Sequence, residues 1–108
     1  MTMQTEIDKL RPRAKFTLTR DSVCAGDDVF APHEMSVETY LFTDPAVLAQ
    51  ELSSGYLPSV AGFGHWWECI LNETSIATIS FDGKAKEVGE ITYADNNSVY
   101  FRYHSATF

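Results

Sequence analysis

This sequence of 108 residues has few of the residues that mark a membrane protein or a disulfide-rich protein. It contains only two cysteines, and no stretch approaches the run of about 18 apolar residues that a membrane-spanning helix needs. Two thiols in a chain long enough to bury a core are more often free than paired, so we expect Cys24 and Cys69 to be reduced. The amino terminus lacks a basic segment followed by an apolar one, so we expect no secretory leader, no membrane association and a cytoplasmic location.

Positive charge is scarce outside the first 20 residues. The whole chain carries 8 Lys and Arg against 15 Asp and Glu, a net charge of −7. Residues 1–20 have a net charge of +3, so residues 21–108 carry −10. A surface of this sign repels phosphate backbones, so we expect no direct binding of nucleic acid and favour a basic protein as partner. Solubility alone would also explain the acidic surface.

The first half of the chain is predicted to contain a tail, two strands and a helix. Residues 1–13 are polar and lack periodicity, which predicts a flexible tail before a single domain at 14–108. Alternation predicts strands at 15–19 and 34–42. Asp44-Pro45 predicts a helix start, because aspartate caps free amides and proline lacks the amide that the first turn leaves unpaired.

The second half of the chain is predicted to be a meander of four strands. Aromatic, β-branched and alternating residues indicate these strands at 66–71, 75–81, 84–93 and 99–103, with turn-forming residues between them. A sheet of this kind buries one face and needs a cover, which the helix can supply. The fold class expected is therefore α+β, with an antiparallel sheet of about six strands that could curl into a half barrel and one short helix packed on it.

Two groups of residues carry side chains that metal binding or catalysis could use. The loop from Asp21 to Glu34 holds several oxygen and nitrogen ligands, but their spacing fits no calcium loop, so we expect no bound metal. His65, Glu68 and Cys69 lie on one predicted strand, yet the two-residue period places Glu68 on the face opposite His65 and Cys69. Buried cysteines are usually small apolar side chains, and no nucleotide-binding or nucleophile motif occurs. We therefore expect no cofactor and no catalytic residues.

Exposed aromatic rings beside carboxylates suit a protein-binding surface, because ring burial gives affinity and carboxylates attract a basic partner. The period sends Trp66 and Tyr100 away from the core, although both rings could equally be covered within the molecule. We expect a small acidic interaction protein that binds and neutralises a basic protein such as a toxin or nuclease. Small acidic immunity proteins and antitoxin-like inhibitors are of this kind. The analogy with them rests on size and charge alone. The predicted partner-binding residues are Asp27, Asp28, Glu34, Trp66, Glu68 and Tyr100.

Two alternatives come from other classes of protein. The first is a small-ligand binder or small enzyme with an aromatic pocket between sheet and helix. The residues expected to line this pocket are Trp67, Phe81, Phe101 and Tyr103. The second is a structural protein that forms oligomers through a strand edge.

Overall fold

The computed structural model describes residues 12–24, 26–60 and 63–105. These residues form one six-stranded sheet, one α-helix and a short 3-10 helix at Asp27–Phe30. The strands, in chain order, are β1 (Arg13–Arg20), β2 (Met35–Tyr40), β3 (Trp66–Leu71), β4 (Thr74–Ser80), β5 (Ala85–Glu87) and β6 (Asn97–His104). The helix, α1, is Pro45–Ser53. The predicted α+β class, with about six strands and one short helix, is confirmed.

The strands lie in the order β2-β1-β6-β3-β4-β5, so the sheet is open at both edges. Neighbouring strands are antiparallel except β1 and β6, which run parallel and make the sheet mixed. The four strands of the second half differ from a simple meander, because β6 pairs with β3 and not with β5. β6 thus lies in the middle of the sheet, between β1 and β3.

The shortness of β5 explains part of this difference. A strand was predicted at 84–93, but the backbone amides of Val88 and Gly89 both donate to the carbonyl of Ile76, which takes the chain out of the regular ladder. β6, by contrast, carries Val99 and Phe101, which are both fully buried. A strand with such a buried face is stabilised most in the centre of the sheet, where neighbours on both sides cover its apolar side chains.

One face of the sheet forms the core. The side chains at alternate positions of β3, namely Trp67, Cys69 and Leu71, are buried, as is His65 just before the strand. This confirms the face predicted from the two-residue period. Their neighbours on β1, β4 and β6 include Phe16, Leu18, Ala77, Ile79, Val99 and Phe101.

Helix α1 packs against β4 and β5 and contributes Leu48, Ala49 and Leu52 to this core. Its start is the predicted one, since Pro45 is the first helical residue and the Asp44 carboxylate accepts the backbone amide of Ala46 at 2.9 Å. Residues 1–11 of the predicted tail at 1–13 lie outside the described residues. Arg13, the last residue of that predicted tail, is the first residue of β1. In the part of the chain that the structure describes, no helix is long and apolar enough to cross a membrane.

Candidate functional site

The second face of the sheet carries three of the predicted partner-binding residues. Trp66 and Glu68 project from β3, and Tyr100 projects from the adjacent β6. We call this surface the open face, because α1 packs on the other side of the sheet. The β3–β6 register places Trp66 opposite His104, Glu68 opposite Arg102, and Ile70 opposite Tyr100.

Glu68 is the centre of a polar cluster on the open face. Its Oε1 atom lies 3.1 Å from Nε2 of His104 and 3.7 Å from a guanidinium nitrogen of Arg102. Partial burial acts to raise the pKa of Glu68, but hydrogen bonds from Ser75 and His104 and the charge of Arg102 outweigh it and lower the pKa overall. Trp66 stacks on the His104 ring with 3.9 Å between centroids. The cluster therefore combines an ionised carboxylate with an aromatic stack.

Tyr100 connects the open face to the loop after β1. Its hydroxyl donates to Oδ1 of Asp21, whose Oδ2 accepts the backbone amide of Tyr103 at 2.9 Å. Burial raises the pKa of Tyr100, and donation to the Asp21 carboxylate raises it further. The guanidinium carbon of Arg102 lies 5.8 Å from the Tyr100 ring centroid, within range of a weak cation–π contact. The Tyr100 ring is thereby held in place on the open face.

Asp27, a predicted partner-binding residue, is engaged inside the molecule. Its carboxylate accepts hydrogen bonds from both terminal nitrogens of Arg20, at 2.7 and 3.1 Å, and from the amide of Val23 at 3.0 Å. The Arg20 hydrogen bonds are the main reason that the pKa of Asp27 falls to about 2. Asp28 and Glu34 are exposed, so they are the predicted loop carboxylates that a partner can reach.

The carboxylates of the acidic loop do not gather at one point. Asp21 faces Tyr100, whereas Asp27 faces Arg20. The His33 Nε2 atom lies 3.0 Å from the Ser22 hydroxyl and 3.5 Å from Asp27. Among the described residues, no three His, Cys, Asp or Glu side chains are grouped so that they could hold a metal ion.

A groove of about 450 Å³ lies on the open face. Glu68, Tyr100 and Arg102 line it, together with Thr19, Ile70, Glu73, Ser75 and Ser98. Glu73 belongs to the two-residue turn between β3 and β4, so the groove runs along β3 from Glu68 towards that turn. Its walls offer carboxylates, hydroxyls and an aromatic ring to a ligand.

A second cavity, of about 420 Å³, lies beside the carboxyl end of α1, and we call it the helix-side cavity. Trp67 and Phe81, two of the residues predicted for the alternative pocket, line it. Phe101 instead lies fully buried in the core, and Tyr103 lines a separate depression next to Asp21. Two of the four predicted pocket residues therefore line this cavity, and the Tyr103 ring packs against Trp67 with 5.1 Å between ring centroids.

The cysteines are both free, as expected. Cys24 is exposed, and Cys69 is completely buried on β3. Burial raises the pKa of the Cys69 thiol to about 12, so it stays protonated at neutral pH. Cys69 thus packs as a small apolar side chain.

His104, Arg102, Ser75 and Glu73 belong to the site but were missing from the predicted set. The alternation of β6 did place Arg102 and His104 on the same face as Tyr100. The missing information was the pairing of β6 with β3, which brings these side chains to Glu68.

The fold is an α+β domain built on an open sheet. One face of this sheet is covered by α1, and the other carries aromatic and charged side chains. Comparisons with protein-family models, with curated proteins and with solved structures each found no match for this chain.

Proposed function

We propose that this protein is a small acidic interaction protein that binds a basic protein through the open face and neutralises it. The observation that supports this proposal is the presence of Trp66, Glu68 and Tyr100 on one uncovered surface of the sheet. Half-buried rings that are already held in place lose little entropy on binding and can act as anchors. The ionised Glu68 beside them favours a cationic group of the partner.

The charge of the chain supports the same type of partner. Residues 21–108 carry a net charge of −10, and the exposed Asp28 and Glu34 belong to the loop that Asp21 joins to Tyr100. Carboxylates at the border of a binding surface accelerate the encounter with a positively charged protein. The proposed mechanism is therefore steering by the loop carboxylates followed by docking on the Trp66 and Tyr100 rings. The docked chain would block the active surface of the partner, as small acidic inhibitors do.

The test separates steering from docking once a basic partner has been captured and identified. Association should slow steeply between about 0.01 and 0.1 M salt, where the screening length falls from about 30 to 10 Å. Asp28→Lys with Glu34→Lys should reduce the association rate. Glu51→Lys makes the same charge change per site at an exposed position of α1, so it is the control and should have a smaller effect.

Docking is tested by the dissociation rate. Trp66→Ala should accelerate dissociation about 30-fold, equivalent to about 2 kcal/mol. Phe63→Ala is the matched control, because it also removes an aromatic ring, one that is 82% exposed. The Phe63 ring packs against Phe81 beside the helix-side cavity and not on the open face, so its loss should leave dissociation unchanged. Binding that is insensitive to salt and to Trp66→Ala would refute the proposal.

A small-ligand binder remains the second candidate, favoured by the helix-side cavity. Trp67 and Phe81 supply apolar walls, and Gln50 and His65 supply polar groups. A saturable ligand whose affinity falls in Phe81→Ala but is unchanged in Trp66→Ala would favour this candidate.

A further inference from the structure

The groove on the open face has carboxylates at both ends and an aromatic ring between them. Glu68 lies at one end and Glu73 at the other, with Ile70 between them on β3. Tyr100 is the direct cross-strand neighbour of Ile70, so its ring borders the middle of the groove. The groove thus offers an apolar central wall flanked by two negative charges.

Arg102 already places one guanidinium group in this groove, beside an aromatic ring and a carboxylate. Its guanidinium lies near both the Tyr100 ring and Glu68, but the nearest distance to the carboxylate is 3.7 Å, longer than a hydrogen bond. The Arg102 side chain is also 52% exposed, so about half of it contacts solvent.

The charge in the groove is unbalanced. Glu68, Glu73 and the guanidinium of Arg102 are the charged groups that line the groove, so its lining has one net negative charge. Within the part of the chain that the structure describes, Glu73 is exposed and forms no ion pair. The neighbouring Ser98 is exposed as well, and its hydroxyl can accept a hydrogen bond.

We infer that this groove binds a guanidinium group, supplied by an arginine side chain of the basic partner. The inference rests on the proposed function and names the group that the open face recognises. The methylene stem of the arginine lies along Ile70, the guanidinium stacks against Tyr100, and its N–H groups donate to Glu73 and Ser98. Arginine fits better than lysine because its planar group can stack on a ring while its forked donors reach two acceptors.

The experiment titrates three capped tripeptides, glycine-X-glycine with X as arginine, lysine or citrulline, into the ¹⁵N-labelled full chain. We expect saturable shifts of the amide signals of Ile70, Glu73 and Ser98 with the arginine peptide. Lysine should bind more weakly, and citrulline, which lacks the charge, should not saturate. Glu73→Gln should weaken arginine binding at least about tenfold, because a charge-assisted hydrogen bond is lost.

Glu51→Gln on α1 removes the same charge elsewhere and should leave arginine binding unchanged. Equal affinity for arginine and lysine, shifts spread over distant carboxylates, or no effect of Glu73→Gln would each overturn the inference. A basic protein that binds through Trp66 without shifting the groove signals would refute the arginine site but support the proposed function. Saturation by the arginine peptide without any basic protein bound at the open face would support the site and refute the proposed function.

Discussion

The Nε2 atom of His104 lies 3.1 Å from Oε1 of Glu68, across the β3–β6 pair. The pKa of Glu68 is lowered, so its carboxylate is ionised at neutral pH and can only accept hydrogen bonds. The Nε2 atom of His104 therefore carries the hydrogen in this contact. Trp66 stacks on the same imidazole, so this histidine links the aromatic and the acidic parts of the open face.

His104→Phe should raise the pKa of Glu68 towards its ordinary value. Phenylalanine can retain a ring against Trp66 but has no N–H to donate to the carboxylate. The pKa can be measured from the ¹³C carboxyl shift of Glu68 as the pH is varied. The pKa of Glu68 should rise more in Ser75→Ala than in Arg102→Met, because the Ser75 hydrogen bond lowers this pKa more than the charge of Arg102 does. An unchanged titration in His104→Phe would contradict the contact.

Asp27→Asn should destabilise the protein at neutral pH but much less in acid. The pKa of Asp27 falls from 3.8 to about 2 on folding, so its ionised form is stabilised by the native structure. This contribution is complete above about pH 4 and is lost as the pH falls through about 2. The urea midpoints of wild type and variant, measured from about pH 6 to 2, should therefore converge at low pH. Asp28→Asn, at an exposed side chain, controls for the removal of one negative charge.

Gly89→Ala should destabilise the fold by about 1 to 3 kcal/mol through overpacking. A Cβ atom at residue 89 would lie 2.3 Å from the carbonyl oxygen of Ser75, so the backbone of β4 or of residue 89 would have to move. Gly26→Ala is the control, since a Cβ there meets nothing within 4 Å. Similar urea midpoints for the two variants would show that Gly89 tolerates a side chain.

Glu73→Gly should stabilise the protein by up to about 1 kcal/mol, because glycine adopts a positive φ without steric cost. Asn72 and Glu73 have φ values of 48° and 74°, and Asn-Gly is the pair that such a turn favours. Glu73→Gln retains the strain and is the control for loss of the carboxylate. If thermal or urea unfolding found both variants equally stable, the backbone at Glu73 would carry no strain.

Local features were predictable because neighbouring residues determine them. The alternation of Trp66 to Leu71 identified both the buried face and the placement of Trp66 and Glu68 on the opposite face. Asp44 and Pro45 identified the start of α1 through capping, which involves only the first turn of a helix. The end of β5 was not predictable in this way, since it depends on the approach of Gly89 to β4.

The sequence by itself determined the α+β class, the acidic character of residues 21–108, and the face on which each residue of β3 and β6 projects. Only the tertiary structure decided that β6 lies between β1 and β3. A two-residue period specifies a face but not a neighbouring strand, and these pairings join segments far apart in the chain. The contact of Glu68 with His104 and the groove beside Tyr100 therefore depend on the central position of β6, where the burial of Val99 and Phe101 is most favourable.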